Sequence, residues 1–496
     1  MSLLKNAGFN LLGAVVPALL AIFTIPYIVS ILGSDNYGLL ALITSIVGYF
    51  SLLDINITAS STKYVSQYNA SGDKNRLNET ICFGVLIYAG IGLVGMFGLY
   101  FSAHTLISSV FALPIGQQFD AVAAIQIAAL GFFVGQIQSY LQSLPGALMR
   151  YDISGRIEAC FGTIVPLLTI GLLYSGFGLV ELVWLRVLMS LLQALLICYM
   201  LRELIPEFRW ATPSKDICEM IMSFSAYSFL SRLAALTYAN ADKIIIGARV
   251  SVTALTFYVV PVTLANRVMS LVFRLSGVMF PHASTLAAQG RLDELESDYL
   301  LASRYIFFLN GAIALLLATM AYPILSLWLT PEFAQAGGSV MVMITLAQWV
   351  DSLTNLPSLV NDGLGRPKVS GLFALMRAAL GLALIFVGVC NFGIEGAAAA
   401  HLLSSIVMSL AFVLYVHGRT VPVAISTLCL KAYKPTLIIL IPVALIGMLL
   451  MPLAQRGWMQ LIASGSVMGM ILVLGGLWKV CLPKHRKLLL SRFGIN

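Results

Sequence analysis

Two arginines, Arg267 and Arg274, interrupt a long apolar segment with a spacing of seven residues. Seven residues are nearly two α-helical turns, so both guanidinium groups share one helix face and lie roughly 10 Å apart along the axis. Thr263, Ser270 and Gly277 extend this polar stripe. The pattern predicts a helix with one wet face that can bind an anion. The alternative interpretation is that these arginines snorkel to water, as long side chains near helix ends do.

A second polar face follows the helical spacing i, i+3, i+4, i+7 in a later apolar segment. Its members are Gln348, Asp351, Ser352 and Asn355. An equivalent face lies 212 residues earlier and consists of Gln136, Ser139, Tyr140 and Ser143. Such faces favour the lining of a polar cavity that accepts a hydroxyl-rich ligand, although hydrogen bonds between helices would also produce them.

Arginines outnumber carboxylates inside the apolar segments. The deep arginines are Arg186, Arg232, Arg267, Arg274 and Arg377. The acidic groups at comparable depth are Asp54, Asp351 and, near a segment end, Glu181. An excess of cation where charge is costly predicts an anionic ligand, and the planar fork of arginine suits phosphate. Asp54 and Asp351 are candidates for ion coupling or for structural pairs with arginines.

Composition places the chain in a lipid bilayer. Of the 496 residues, 59% are hydrophobic and 10% are charged, and the mean hydropathy is +0.93. About fourteen apolar windows, each about 18 to 25 residues long, recur between Phe9 and Leu482, among them 9–32, 370–390 and 397–417. Windows of this length without barrel-type alternation satisfy their backbone groups only as helices. The predicted fold is an all-α integral membrane protein with about 14 transmembrane helices.

The distribution of Lys and Arg predicts the orientation. With the N-terminus inside, cytoplasmic segments hold 21 of the 29 basic residues, outside loops hold three, and five lie within spans. This asymmetry places both termini in the cytoplasm. It also explains the net charge of +8 without a nucleic-acid partner. The seven cysteines form no CxxC pair, so we expect neither a disulfide framework nor a metal site.

Four short motifs recur in order at offsets of 212 to 215 residues, which indicates an internal duplication. The matched positions are Gly33 with Gly247, Arg76 with Arg291, Pro145 with Pro357, and Gly178 with Gly393. Each repeat holds an even number of spans, so the two repeats are expected to be parallel. Transporters built this way place their substrate near the membrane midplane and rock one half against the other.

The repeat predicts three parts of the chain. Residues 1-210 form an N-terminal six-helix lobe, 211-420 form a C-terminal six-helix lobe, and 421-496 add helices 13 and 14 with a basic tail. The sequence contains no Walker A motif and no convincing nucleophile, metal or paired-carboxylate constellation. We therefore expect a protein that is not an enzyme, needs no cofactor and does not hydrolyse ATP.

The motifs "TIPYIVSILGSDNYGLLAL", "LPGALMRYDISGRI", "LPSLVNDGLGRPK" and "FGIEGAAAA" carry a family resemblance. With them the chain resembles the polysaccharide-transporter branch of the multidrug/oligosaccharidyl-lipid/polysaccharide (MOP) exporter superfamily. More narrowly, it is similar to Wzx-type O-antigen flippases over its whole length. The resemblance implies a protein of the bacterial inner membrane that alternates between inward-open and outward-open states.

The resemblance also implies the cargo, an oligosaccharide repeat unit on undecaprenyl diphosphate that moves from the cytoplasmic to the periplasmic leaflet. The deep arginines would neutralise the diphosphate, while the two polar faces, Thr263 and Ser270 line the path of the glycan. A polysaccharide polymerase or chain-length machinery is implied as a partner. Three alternatives remain: a flippase for lipid II or another lipid-linked glycan, a cation-coupled multidrug exporter, and a non-transporting assembly partner.

Overall fold

The computed structural model describes the backbone of residues 3–50, 57–111, 113–148, 150–276, 279, 283, 286 and 289–486. Within these ranges it does not describe the side chains of 3–19, 21–22, 59, 115, 151, 223–236, 270–271 and 273–276. The described residues are almost entirely helical and include no strand. The all-α prediction is therefore confirmed.

Packing divides the chain into two compact units, Met1–Thr256 and Phe257–Asn496. The helices of the first unit are α1 (Leu3–Phe50), α2 (Ile57–Ser71), α3 (Lys74–Thr105), α4 (Ile115–Ala147), α5 (Tyr151–Tyr174), α6 (Leu179–Leu204) and α7 (Lys215–Arg249). Helix α8 (Val252–Ser276) begins in the first unit and continues into the second.

Among its described residues, the second unit continues with seven further helices, three of which adjoin π-helical turns. They are α9 (Leu292–Thr319), α10 (Ala321–Trp328), α11 (Pro331–Gly363), α12 (Pro367–Arg419), α13 (Ile425–Leu428), α14 (Lys434–Ala454) and α15 (Trp458–Gly475). The π-helical turns Cys429–Tyr433 and Gly476–Val480 precede α14 and follow α15.

Eleven helices among the described residues are long and apolar enough to cross a membrane. The chain is thus a multi-pass membrane protein. One of these helices, α12, is 53 residues long and contains the two predicted spans 370–390 and 397–417. The first predicted span, 9–32, falls mostly on residues whose side chains are not described. The count of fourteen and the orientation of the termini stay predictions.

Helix α12 is two helices joined at Gly393, whose backbone has φ 59° and ψ −136°. A side chain at Gly388 would lie 2.4 Å from the carbonyl oxygen of Gly396, so the two halves fold back on each other in close contact. Helix α1 contains a similar junction at Gly33, with φ 75°. Both junctions need the positive φ that glycine adopts without steric conflict.

Helix starts recur along the chain in a way that supports the internal repeat. Helices α4 and α11 start at Ile115 and Pro331, and α5 and α12 start at Tyr151 and Pro367, 216 residues apart in both cases. Gly176, in the turn between α5 and α6, has a positive φ of 85°, as Gly393 does between the two halves of α12. It lies two residues before the sequence-matched Gly178.

The predicted lobe boundaries do not coincide with the two packed units. Helix α7, which the sequence places in the lobe 211-420, packs against α1, α2 and α3 within the first unit. The repeat reflects sequence similarity between two parts of the chain, whereas the packed units reflect which helices contact each other. The division into 1-210, 211-420 and 421-496 stays a prediction.

The Gly393 junction generates a test of the fold. Replacing Gly393 with Ala should destabilise the protein by about 1 to 3 kcal/mol, because an L side chain strains this backbone conformation. The matched control is Gly418→Ala, in the same helix, where an added Cβ meets no atom within 4 Å. Thermal unfolding of the detergent-solubilised chain measures both variants. A Gly393→Ala variant as stable as Gly418→Ala would contradict the junction.

Candidate functional site

Helices α11 and α12 enclose an ion pair with two serines, which we call the α11–α12 polar cluster: Asp351, Arg377, Ser405 and Ser409. The Arg377 Nη2 donates to Asp351 Oδ2 and to Ser405 Oγ, the latter at 3.1 Å. Ser409 Oγ donates to Asp351 Oδ1 at 3.3 Å. The side chains of Arg377 and Asp351 are 23% and 20% exposed. The cluster therefore holds a largely desolvated charge pair that is neutral as a whole.

This geometry bears on two residues selected from the sequence. Arg377 was predicted to bind an anionic substrate, and Asp351 was a candidate for ion coupling. Each is the direct partner of the other in this structure. A carboxylate at this position compensates the guanidinium charge that would otherwise be costly at membrane depth.

A pair of amide side chains links α8 to α11 next to this cluster. Gln348 Nε2 donates to Asn266 Oδ1 at 2.7 Å. The following residue, Arg267, is exposed, and Asn266 is exposed as well. Arg267 and Asn266 are thus both accessible on α8, and the wet face that the sequence predicts for this helix stays a prediction.

The remaining members of the second-unit face are partly exposed. Ser352 Oγ donates to the carbonyl of Trp349 at 2.6 Å, which is a bond within the helix. Asn355 and Thr263 are also partly exposed. The face along α11 is therefore accessible along its length, while Asp351 at its centre is engaged by Arg377.

The equivalent face in the first unit is divided between surface and core. Tyr140 is fully buried, stacks on Tyr88 with ring centroids 5.2 Å apart, and bonds Ser61 Oγ at 2.8 Å. Gln136 is buried as well, whereas Ser139 is exposed. Ser143 Oγ donates to the carbonyl of Tyr140 at 2.7 Å.

Tyr140 therefore packs inside the first unit rather than on an open surface. Its ring occupies the space next to Gly84, where a Cβ would lie 2.0 Å from the phenol ring. The glycine is what admits the ring between α3 and α4. Of the four residues selected in this helix, Ser139 is the exposed one.

Arg186 on α6 has a neutral partner. Its Nη1 donates to Thr44 Oγ1 on α1 at 2.9 Å, and the residue is exposed. Among the described residues, no carboxylate lies within 4.0 Å of this guanidinium. Arg186 thus keeps an uncompensated charge on a helix long enough to span the membrane.

Four selected residues cannot be compared with the structure. Asp54 lies in 51–56, outside the described residues. Arg232 lies in α7, and Ser270 and Arg274 lie in α8, where the backbone is described and these side chains are not. Their predicted roles stay predictions.

Ser405 and Ser409 are the site residues that the sequence reasoning missed. They lie one helical turn apart in α12, so their spacing is that of a shared face. Their partners lie 28 and 58 residues away in the chain, which no local pattern shows. In the part of the chain that the structure describes, no group of three or more His, Cys, Asp or Glu residues could hold a metal ion.

Comparison with known proteins decides the family. Residues 28–337, more than half of the chain, match the family described as polysaccharide biosynthesis protein. The chain belongs to this family. Its relatives include a probable flippase, AglR, of Haloferax volcanii, which is 25% identical over 82% of this chain and 81% of that protein.

Two further relatives are more distant in sequence but cover most of the chain. The uncharacterized membrane protein EpsK of Bacillus subtilis is 21% identical over 98% of this chain and 97% of its own length. A putative O-antigen transporter of Shigella flexneri is 19% identical over 80% of this chain and 94% of that protein.

Solved structures show the fold. An inward-facing multidrug resistance MATE family transporter of the MOP superfamily superposes with a TM-score of 0.69 at 14% identity, over 85% of this chain and 99% of that one. A MOP superfamily transporter from Pyrococcus furiosus, described as having a binding pocket of reversed polarity, gives 0.62 at 16% identity over 86% and 95%. The predicted resemblance to the MOP superfamily is confirmed.

The family and the fold together define a class of protein. This member of the polysaccharide biosynthesis family is a multi-pass membrane protein with the fold of MOP superfamily transporters. Two of its relatives are described as a probable flippase and a putative transporter, in agreement with the sequence prediction that the chain is not an enzyme.

The Asp351 and Arg377 pair can be tested by a double-mutant cycle. Asp351→Asn should destabilise the fold, because Arg377 then keeps its charge without a counterion. The loss should be smaller than the about 3 to 5 kcal/mol measured when a fully buried pair is broken, since this pair is partly exposed. The double variant Asp351→Asn/Arg377→Gln should recover most of this loss. Thermal unfolding in detergent measures both, with Ser352→Ala as the control. Additive losses in the double variant would contradict the coupling.

Proposed function

We propose that this transporter is a flippase that moves an undecaprenyl-diphosphate-linked oligosaccharide from the cytoplasmic to the periplasmic leaflet. The observation that carries the proposal is Arg186, an exposed residue on a membrane-length helix whose guanidinium has a neutral hydroxyl as its partner. A cation at this depth is stable when it faces water or an anion rather than lipid. An anionic cargo supplies that charge during transport.

The charge balance of the spans supports an anionic cargo. Asp351 compensates Arg377, so this carboxylate does not reduce the excess contributed by the other deep arginines. A diphosphate is the anion best suited to several guanidinium groups, since each fork can donate two parallel hydrogen bonds to one phosphate. A cation-coupled multidrug exporter is less consistent with this balance, because cationic drugs favour carboxylate-rich cavities.

The polar groups near Arg267 support a glycan attached to the diphosphate. Gln348 and Asn266 present amide groups on accessible positions of α11 and α8. Amides both donate and accept hydrogen bonds, which matches the hydroxyl groups of sugars. The names of the relatives, a probable flippase and a putative O-antigen transporter, point to the same class of cargo. Lipid II or another lipid-linked glycan remains the alternative.

The proposed mechanism is alternating access between two six-helix lobes. The recurrence of helix starts and of positive-φ glycines supports parallel repeats, the architecture in which one half rocks against the other. In this mechanism the arginines neutralise the diphosphate, the glycan crosses in the wet cavity, and the lipid tail stays in the bilayer.

The inner membrane of a bacterium is the proposed location, with a polysaccharide polymerase as the proposed partner. Proton or sodium coupling through Asp54 or Asp351 stays a separate hypothesis.

Leaflet translocation in proteoliposomes tests the proposal directly. The full chain should flip a defined undecaprenyl diphosphate oligosaccharide, and Arg186→Ala and Arg267→Ala should each lower the rate at least about tenfold, the effect of losing a hydrogen bond to a charged group. The Lys variants should retain part of the rate, since they keep the charge and lose the fork.

The matched control is Arg456→Ala, which removes an exposed arginine from the turn between α14 and α15. Its rate should equal that of the parent chain at equal amounts of folded protein. If both Arg186→Ala and Arg267→Ala flip the lipid at the parental rate, the guanidinium groups do not act on the diphosphate. If the parent chain itself moves no diphosphate-linked lipid, the cargo assignment is wrong.

A further inference from the structure

A cavity of about 350 Å³ lined by both charged and apolar side chains lies in the second unit, outside the residues considered so far. Its walls come from α9, from the π-helical turn before α14 and from the segment after α15, and include Asp293, Glu296, Arg304, Lys431 and Leu482. Small-molecule sites usually have volumes of about 300 to 1,000 Å³, so this cavity can hold a small polar group.

The cavity lies where three helices change from apolar to polar. Helix α9 starts with the acidic stretch LDELESDY, and after it Arg304 is the one charged residue up to Thr319. Lys431 lies three residues before the start of the apolar α14, and Lys479 lies four residues after the end of the apolar α15. Such transitions are typical of the boundary between hydrocarbon and headgroups. The cavity therefore lies where these transitions would place phospholipid phosphates.

The wall formed by the chain after α15 is fixed to α9 by side-chain contacts. Tyr305 Oη accepts from the Leu482 backbone N–H at 3.2 Å and bonds His485 Nδ1 at 2.8 Å. Arg304 Nη2 donates to the carbonyl of Lys479. Arg486 lies over the ring of Trp478, with Cζ 4.6 Å from the centroid. These contacts hold Leu482 against the opening.

The basic and acidic side chains that line the cavity form no direct ion pairs with each other among the described residues. Arg304 Nε is buried and makes no hydrogen bond to any described residue. No ion pair within 4.0 Å joins Arg304 or Lys431 to Asp293 or Glu296 in the part of the chain that the structure describes. Two cations and two carboxylates thus border one space without neutralising each other directly.

The acidic and basic side chains of α9 line different ends of the cavity. Glu296 and Arg304 are eight residues apart, about 12 Å along the helix axis and on one face. Long side chains in a helix generally lean toward its N-terminus, and this tendency favours a guanidinium position closer to Glu296. Along α9, Arg304 thus lies on the apolar side of the cavity, and Asp293 and Glu296 lie on the side of the acidic helix start. Leu300 and Leu301 add an apolar wall.

We propose that this cavity binds the headgroup of a phospholipid that carries a primary amine, such as phosphatidylethanolamine. Its phosphate contacts Arg304 and Lys431, and its ammonium contacts Glu296 and Asp293. The ammonium donates three hydrogen bonds, as that of lysine does, whereas a choline group donates none. The glycerol and the start of an acyl chain lie against Leu300, Leu301 and Leu482. The site is separate from the deep arginines and does not depend on the identity of the cargo.

Native mass spectrometry of the delipidated full chain tests the site. The protein is offered an equimolar mixture of phosphatidylethanolamine, phosphatidylglycerol and phosphatidylcholine with identical acyl chains. The ethanolamine lipid should give the most abundant adduct. Lys431→Gln should weaken the binding of phosphatidylethanolamine and of phosphatidylglycerol alike by about fivefold, the effect of one basic residue near a phosphate. Glu296→Gln should weaken the binding of phosphatidylethanolamine by a similar factor and leave the binding of phosphatidylglycerol unchanged.

Neither Lys431 nor Glu296 makes a hydrogen bond or ion pair with a described residue, so both variants should fold. The controls are Lys434→Gln and Glu294→Gln, which change neighbouring residues that do not line the cavity. Equal adducts of all three lipids, or variants indistinguishable from these controls, would overturn the proposal. Displacement of the lipid by an equal concentration of free O-phosphoethanolamine would also overturn it, since the site would then recognise a soluble compound.

Discussion

The high free energy of a charge in hydrocarbon is the constraint on which this structure depends. Helices α11 and α12 satisfy it internally, because Asp351 meets Arg377 and two serines add one hydrogen bond each. A pair of this kind makes the packing of two long helices conditional on one contact, since removing either partner leaves an uncompensated charge. The same constraint acts on every other arginine in the spans.

The arginines satisfy this constraint in two different ways. Arg377 has a carboxylate as its partner, whereas Arg186 has the hydroxyl of Thr44. The first arrangement is neutral, and the second retains a positive charge. Counting arginines in the sequence treats both alike, and the structure separates them. An anionic cargo would therefore meet its uncompensated positive charge at arginines with a neutral partner, as Arg186 has, whereas the charge of Arg377 is compensated by Asp351.

The sequence predicted those features that depend on local composition. Hydropathy predicted helices of membrane length, of which the described residues include eleven, and the repeated motifs predicted an internal duplication that the 216-residue offset between helix starts supports. Features that depend on contacts between distant residues were not predictable in this way. The spacing that grouped Tyr140 with Ser139 describes one helix, and it does not show that Gly84 on α3 leaves room to bury the tyrosine ring.

The pairing of Arg377 was unpredictable for a related reason. Its carboxylate partner lies 26 residues away on the preceding helix, and the serine partners of the cluster lie on the other half of α12. The sequence showed that some acid must compensate some arginine, without showing which. The division of the chain after Thr256 likewise depends on where α7 packs, which the offset between repeats does not determine.

The partner of an arginine also determines whether it can take part in a transport cycle. A guanidinium bound to a threonine hydroxyl can exchange that bond for a phosphate oxygen, and the hydroxyl can then bond to water or to a backbone carbonyl. A guanidinium bound to Asp351 cannot do so without leaving a carboxylate uncompensated in a medium of low dielectric constant. Transport requires that the cargo be bound and released in every cycle, so the exchange must be nearly balanced in free energy. Arg186 with Thr44 meets this requirement, and Arg377 with Asp351 does not.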